Sequence, residues 1–302
     1  DGPGLEAEAL ITIAAGVEDR RRLERLWALA SLDLDWLAEP GGGDAATCDL
    51  WEETTDGNFF WNRIALRSAL LAGVRLARRL GDHRREVRYL RRAEALGSPV
   101  ADHLKASDGS GGCFISECPA QQASTDCQFK DKYVDGAVIL GLTHGWRQVL
   151  DDLSPVILPT SALVAQTIAS YNEVFCSLYP VNMKDTEAGV PGVLYGRYAR
   201  DAYGGGPWLL ITAALASLLY QAAQVVAGGL VLDAEEVAAW RRALNADDFG
   251  GGVTEFIVAG DSVLLRLWHH IRPEDRGHLY EQLNRVTGAQ YNAKGLTWSY
   301  AE

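Results

Sequence analysis

The stretch LLITAALASLLYQAAQVV, residues 209–226, is apolar around nearly its whole circumference when drawn as a helix. A glycine break at 204–206 precedes it, and Pro207 is well placed as the first helical residue because the N–H that proline lacks is not needed there. A helix that is apolar on all sides has to be surrounded by other elements. The sequence therefore predicts a fold organised around one buried helix.

Helical periodicity recurs on both sides of this stretch, whereas the alternation typical of strands is sparse. The spacing of apolar residues predicts further helices over 5–14, 18–37, 59–80, 132–150, 161–178, 233–243, 253–271 and 275–286. Thr160 or Ser161 is placed to cap one of them. Short links between consecutive helices favour antiparallel pairs, so the predicted fold class is all-α.

The charge and hydrophobicity of the chain restrict the kinds of binding partner that can be expected. The chain has 302 residues, 48% of them hydrophobic, and a formal net charge of −12. This charge argues against nucleic-acid binding, in which Lys and Arg replace the counterions of the phosphates. No uninterrupted apolar run of about 20 residues and no basic-then-apolar leader at Asp1 is present, so neither a membrane span nor a signal peptide is expected.

The cysteine pattern indicates a disulfide rather than a metal site. Three of the five cysteines, Cys113, Cys118 and Cys127, lie in one long Gly/Ser-rich loop without the spacing of a zinc site. We expect a disulfide within that loop, and hence a secreted, extracellular protein. His269 and His270 are adjacent, so on a helix they point about 100° apart and cannot hold one metal together. We expect no metal and no cofactor.

The segment Cys48-Asp49-Leu50-Trp51-Glu52-Glu53 is the most suggestive of chemistry. It places adjacent carboxylates beside an indole ring in a short break between two helical regions. By itself, such an acidic pair is more often a solvated loop than a site. With an apolar neighbour to exclude water, however, it could carry acid/base chemistry.

Four motifs in order along the chain resemble those of the glucoamylases, glycoside hydrolase family 15. The first resembles the family's D-L-W-E-E segment, the second and third its G-R-Y-x-x-D-x-Y and N-P-W pattern, and the last its L-T-W-S-Y-A segment. In this sequence they read CDLWEE at 48–53, GRYARDAY at 196–203, GPWL at 206–209 and LTWSYA at 296–301. Their order and spacing also match over almost the whole chain.

The resemblance implies an (α/α)6 barrel, in which an inner ring of helices is wrapped by an outer ring, and it makes residues 1–302 a single barrel domain. It also implies removal of glucose from the non-reducing ends of α-glucans with inversion. Inversion needs one carboxylic acid to protonate the leaving oxygen and one carboxylate to activate water. The expected partner is thus an α-glucan or oligosaccharide.

The resemblance also implies roles for individual residues. Glu52 matches the general acid, and Trp51 beside it would favour the protonated carboxyl by partly excluding water. The remaining matches concern the sugar. Asp49 and Glu53 would orient the acid and hold the sugar. A sugar-binding loop would be formed by Arg197, Tyr198 and Asp201, and the walls of the pocket by Trp208 and Trp298.

The sequence departs from the family at the position of the catalytic base. Taken as a G-E-Q step before L-T-W-S-Y, the family pattern matches Gly288-Ala289-Gln290 here, so Ala289 stands where the base is expected. A methyl group cannot accept a proton from water, and a positioned base is typically worth ~10²- to 10⁴-fold in rate. Unless Glu281 reaches the site, catalysis is expected to be impaired.

The chain also begins later and ends earlier than the family pattern. The barrel is therefore expected to be incomplete by itself and to expose apolar faces, which other copies of the chain or a missing partner segment would cover.

Three hypotheses remain open at this point. The first is a glucoamylase-type hydrolase with impaired activity, and the second is a non-catalytic relative used for carbohydrate binding or extracellular self-assembly. The third is an unrelated α-helical enzyme, such as a polysaccharide lyase, in a barrel of the same kind.

Overall fold

The computed structural model of this chain describes residues 2–42, 47–55, 58–107, 112–119, 127, 131, 133–146 and 157–301, with the backbone alone at 98, 99 and 146. The chain divides into two compact units. Unit 1 comprises Asp1–His103 and His144–Val156, and unit 2 comprises Leu104–Thr143 and Ile157–Glu302.

Unit 1 is a set of packed helices. Its elements are α1 (Gly2–Ala15), α2 (Arg20–Ala38), α3 (Phe60–Leu80), α4 (His83–Gly97) and a 3₁₀ turn over Ser98–His103. The Asp19 carboxylate caps α2 by accepting a hydrogen bond from the Arg22 backbone N–H at 2.8 Å. The glycine at position 73 lets α3 approach Leu34 of α2 and Tyr89 of α4 closely. The predicted helices over 5–14, 18–37 and 59–80 are confirmed.

Unit 2 combines helices with two short antiparallel strand pairs. In chain order its elements are β1 (Leu104–Ala106), β2 (Cys113–Ile115), α5 (Gly136–Trp146, in this unit up to Thr143), α6 (Ala162–Leu178), α7 (Pro180–Glu187), α8 (Leu209–Ala227), α9 (Ala234–Leu244), α10 (Val253–His269), a 3₁₀ turn (Pro273–Asp275), β3 (Tyr280–Leu283), β4 (Gln290–Lys294) and a second 3₁₀ turn (Thr297–Tyr300). Strand β1 pairs with β2, and β3 pairs with β4. Helices dominate the described residues, which confirms the all-α prediction.

The predicted central helix is α8. By length and composition it could cross a membrane, but 72% of its most apolar 18-residue window is buried, as expected for a core helix. It packs against α10, and α6 packs against α9. The Ser161 hydroxyl caps α6 by accepting from the Val164 backbone N–H at 3.4 Å, as predicted. The predicted helix over 132–150 corresponds to α5; residues 132 and 147–150 lie outside the described ranges.

Two local predictions are wrong. Pro207 is not the first residue of α8, which begins at Leu209, because the Pro207 carbonyl accepts a hydrogen bond from the Leu283 backbone N–H at 2.8 Å. The predicted helix over 275–286 is replaced by the 3₁₀ turn and β3. Arg276 and Gly277, both with positive φ, end the helical conformation there.

The expected disulfide within the long loop is present between Cys118 and Cys127, and Cys113 remains a free thiol. This confirms the prediction made from the cysteine spacing.

Candidate active site

In unit 1 the carboxylates lie on a short loop, Cys48–Thr54, which we call the carboxylate loop. Asp49 is 3% exposed, and its Oδ1 accepts hydrogen bonds from the backbone N–H groups of Glu53 at 2.8 Å and Thr54 at 2.9 Å. The backbone closes the same turn, because the Asp49 N–H donates to the Thr54 carbonyl and the Glu52 N–H donates to the Asp49 carbonyl. One buried carboxylate thus fixes the conformation of the loop.

The loop presents Glu52 to solvent in an unusual backbone conformation. Glu52 has φ 57°, in the left-handed region, and its side chain is exposed. A non-glycine residue held there costs about 1–2 kcal/mol, and such residues cluster at functional sites. Trp51 beside it is 9% exposed and Glu53 is half-buried. The loop therefore buries the indole and Asp49 while it displays the Glu52 carboxyl.

Helix α3 anchors the start of the carboxylate loop. The Asn62 amide Nδ2 donates to the Thr47 hydroxyl at 2.6 Å and to the Cys48 carbonyl at 2.7 Å. Asn62 is itself buried on the first turn of α3. The exposed carboxyl is thus carried by a loop with rigid support.

In unit 2 most of the predicted sugar-binding residues lie on the segment Gly196–Trp208, which we call the arginine loop. The Arg197 guanidinium makes a two-point ion pair with Asp201: Nε donates to Oδ2 at 2.9 Å, and Nη2 donates to Oδ1. The two side chains are 6% and 1% exposed. Asp201 Oδ1 also accepts from the Tyr203 backbone N–H at 2.9 Å.

Three aromatic rings surround the Arg197 guanidinium. Its Cζ lies 5.2 Å from the Tyr198 ring centroid, 5.3 Å from that of Tyr203 and 5.2 Å from that of Trp208. The Trp208 ring lies 6.5 Å from the Trp298 ring at an interplanar angle of 45°. Because Trp298 is 46% exposed, it offers an accessible aromatic face next to the buried cation.

The buried amide of Gln282 joins the arginine loop to the β3–β4 hairpin. Its Oε1 accepts from the Gly206 backbone N–H at 3.3 Å and from the Tyr291 hydroxyl at 2.6 Å, and its Nε2 donates to the Tyr203 carbonyl at 3.2 Å. Glycine is required at position 206 because a Cβ there would overlap the Leu283 carbonyl oxygen. The loop and the hairpin are thus fixed to each other at several points.

Glu281 lies on the same hairpin at a β-bulge. Its Oε2 accepts hydrogen bonds from the Asn292 amide at 3.0 Å and from the Gln282 amide at 3.4 Å. Burial raises the pKa of the Tyr291 hydroxyl, and the charges of Asp201 and Glu281 raise it further. Both carboxylates are therefore within electrostatic reach of this tyrosine.

Ala289 occupies the turn of the hairpin. Its carbonyl accepts from the Asn284 backbone N–H at 2.8 Å. Its neighbour Gly288, at φ 72°, packs so closely on the His270 ring that a Cβ there would overlap it. Glu281, on β3, is three residues before Asn284, which directly follows that strand, and three extended residues span roughly 10 Å. Position 289 thus belongs to the end of the hairpin that rests on His270.

No group of three or more His, Cys, Asp or Glu side chains is placed to hold a metal ion among the residues that the structure describes.

The sequence profile of the family described as "Glycosyl hydrolases family 15" matches residues 1–302. The chain belongs to this family. The glucoamylase of Blastobotrys adeninivorans is 28% identical over 100% of this chain and 51% of its own length. The glucoamylase P of Amorphotheca resinae is also 28% identical, over 100% of this chain and 48% of its own length. This family 15 chain spans about half the length of these curated relatives.

Solved structures show the same fold. The Hormoconis resinae glucoamylase superposes with a TM-score of 0.80 at 26% identity, over 100% of this chain and 51% of that structure. The Saccharomycopsis fibuligera glucoamylase superposes with a TM-score of 0.77 at 24% identity, over 99% of this chain and 67% of that structure. The prediction of a glucoamylase-type (α/α)6 fold is confirmed.

Within this family 15 chain, each unit brings together its own predicted site residues. Unit 1 groups Asp49, Trp51, Glu52 and Glu53, and unit 2 groups Arg197, Tyr198, Asp201, Trp208 and Trp298. The sequence missed Tyr203, Gln282, Tyr291 and Asn292. Tyr203 is the last residue of the quoted motif and could have been found, whereas nothing in the local pattern marks the other three.

Proposed function

We propose that this protein is an inverting hydrolase that removes glucose from the non-reducing ends of α-glucans, with Glu52 as general acid and Glu281 as general base. The observation that carries the proposal is the Glu281 carboxylate, held by two amide donors beside the arginine loop of a family 15 chain. This assignment moves the base away from position 289, so an alanine there need not impair catalysis.

The reaction needs one group that donates a proton and a second group that accepts one. The protonated Glu52 carboxyl would donate its proton to the glycosidic oxygen as the bond from that oxygen to C1 breaks. The Glu281 carboxylate would take a proton from a water whose oxygen attacks C1 from the opposite face, which releases glucose as the β-anomer. Exchange with solvent then restores both carboxyl groups.

The two supporting groups would have different roles. The arginine loop would bind the sugar, with the accessible Trp298 face against the ring and the Arg197–Asp201 pair fixing the loop beneath it. Asp49 would hold the Glu52 backbone in its left-handed conformation.

Two further expectations have support. A disulfide between Cys118 and Cys127 persists in oxidising compartments, which supports a secreted protein. Helix α10 exposes a row of apolar side chains next to a cavity of about 620 Å³, which supports the expectation that another copy or segment covers unit 2; the row consists of Ile257, Val258, Leu264, Leu265 and Trp268.

The proposal is tested on the full-length protein by following maltose hydrolysis by ¹H NMR. We expect β-glucose to appear first, and Glu52→Gln to lower kcat/KM by ~10²- to 10⁴-fold because the acid is lost. Glu24→Gln on the exposed face of α2 serves as a control and should hydrolyse maltose at the wild-type rate. Absence of hydrolysis by the wild-type protein, together with a glucose-induced rise in Tm, would instead favour the non-catalytic carbohydrate-binding function.

A further inference from the structure

We infer that Arg67 in unit 1 binds a small inorganic anion, such as chloride or phosphate. Arg67 lies in the middle of α3 and is 6% exposed. Its Nε is buried and has no hydrogen-bond partner among the residues that the structure describes. The guanidinium therefore lies inside the unit with at least one N–H donor that the described part of the chain does not use.

A buried cation without a partner is costly, and arginine cannot avoid the cost by losing its proton. Removal of an isolated charge from water is strongly unfavourable, so buried charges in proteins are paired. Burial lowers the pKa of the Arg67 guanidinium, and no carboxylate of the described residues raises that pKa again. A guanidinium nevertheless stays protonated in proteins. A negatively charged partner is therefore required.

The other two buried arginines in the described ranges do have carboxylate partners. Arg197 forms its two-point ion pair with Asp201. Arg266, which is 1% exposed, donates to the Asp185 carboxylate at 3.4 Å. Burial lowers the pKa of Arg266 as it does that of Arg67, but the charge of Asp185 acts in the opposite direction. Within the described residues, Arg67 thus differs from both in having no carboxylate beside it.

The surroundings of Arg67 favour a small ion over a further segment of protein. Every residue from 64 to 74 is buried, so about three turns of α3 are covered on all sides. A further segment would have to displace this packing to reach the guanidinium, whereas an ion can reach it through the small exposed part of the residue. The neighbouring Ser68 points about 100° away around the helix and donates to Glu8 at 3.3 Å. That carboxylate is therefore bound on another side of α3.

The expected consequence of binding is a more stable folded state. A guanidinium forms charge-assisted hydrogen bonds to anions, and the buried site exists only while α3 is packed in unit 1. An ion that binds the folded chain alone stabilises it by mass action. This role goes beyond the proposed function, because it uses no residue of the carboxylate loop or the arginine loop.

The test measures the Tm of the full-length protein in sodium glutamate, whose anion is large, and after chloride or phosphate replaces glutamate at constant ionic strength. We expect at least one small anion to raise the Tm of the wild type by about 2–4 °C more than that of Arg67→Met. In glutamate, Arg67→Met should melt at least as high as the wild type, because it no longer buries a charge. The matched control, Arg91→Met, removes the same charge from an exposed position on α4 and should respond as the wild type does.

A second variant, Arg67→Lys, keeps a positive charge without the planar guanidinium and should show a smaller rise than the wild type. Equal responses of the wild type, Arg67→Lys and Arg67→Met to both anions would show that Arg67 binds neither. A Tm of Arg67→Met that is lower than the wild-type value by the same amount in all three salts would show that Arg67 is paired with a group of the protein itself. Either result would overturn the anion site without affecting the proposed function, which maltose hydrolysis tests separately.

Discussion

The carboxylate loop and the arginine loop hold their functional groups by opposite means. In the carboxylate loop, one buried carboxylate accepts two backbone hydrogen bonds, and the group of interest, Glu52, points into solvent. In the arginine loop, the Arg197–Asp201 pair is itself buried, enclosed by aromatic rings and tied to a hairpin through Gln282.

Under the proposed function, the carboxylate loop would carry the reacting acid and the arginine loop would bind the sugar. An acid that must give up its proton and regain it from solvent needs an accessible carboxyl on a fixed backbone. A binding surface needs a rigid shape, which a buried ion pair with aromatic walls provides at the cost of desolvating two charges. Substitutions in the two loops should therefore differ in their balance between lost stability and lost activity.

The largest effect on stability is expected in the arginine loop. Asp201→Ala would remove the carboxylate that makes a two-point ion pair with the buried Arg197 guanidinium, and we expect unfolding in urea to show a loss of about 3–5 kcal/mol. Glu24→Ala removes the partner of Arg20 in a pair whose side chains are 73% and 53% exposed, and it should cost less than about 1 kcal/mol. Equal losses for the two variants would contradict the contrast between buried and exposed pairs.

A smaller loss is expected in the carboxylate loop. Asp49→Ala removes the acceptor of two backbone N–H groups and should destabilise the protein by about 1–3 kcal/mol. Asp49→Asn keeps an oxygen that can accept both hydrogen bonds, so its loss of stability should be less than half that of Asp49→Ala. We expect kcat/KM to fall more in Asp49→Ala than in Asp49→Asn, because the backbone conformation of Glu52 depends on this turn. Unchanged activity in Asp49→Ala would show that Glu52 does not depend on the turn.

At Glu52 the conformation of the backbone, rather than a lost contact, is expected to decide the stability of the variants. Glu52→Gly removes the side chain from a left-handed residue and should be about 1 kcal/mol more stable than Glu52→Ala, which keeps the strain. Both variants should lose activity. Urea unfolding midpoints compare them directly, and equal midpoints would mean that the left-handed conformation is not strained.

The smallest expected effect is a pH dependence of the free energy of unfolding, and it arises at His270, the residue on which the hairpin turn rests. Burial lowers the pKa of His270 below its ordinary value of 6.5, although Asp185 hydrogen-bonds its Nε2 at 2.8 Å. The folded protein then binds a proton less readily than the unfolded chain, so stability should decline as pH falls through about 6.5. His270→Gln should flatten this slope in unfolding experiments between pH 7 and 5, whereas His83→Gln, at a site 84% exposed, should leave it unchanged.

The sequence predicted those features that are encoded locally. The apolar run at 209–226 identified the buried helix, Ser161 identified a cap, and the motifs at 48–53 and 196–203 identified the two loops. Each of these signals is complete within a short window, so it does not depend on which distant segments meet.

The hairpin could not be predicted in the same way. Leu279, Leu283 and Val286 have helical spacing, but Leu283 pairs with Gln290 and donates to the Pro207 carbonyl. These contacts join segments that are remote in sequence. The bulge at Glu281 and its bond to Asn292 likewise join the two strands of the hairpin and have no local signature in the sequence.

The most direct test of the account compares two variants of the full-length protein in maltose hydrolysis. If Glu281 is the base, Glu281→Gln should lower kcat/KM by ~10²- to 10⁴-fold, and Ala289→Glu should not raise it above the wild-type value. A Glu281→Gln variant that hydrolyses maltose as fast as the wild type, or an Ala289→Glu variant that gains activity, would contradict the account.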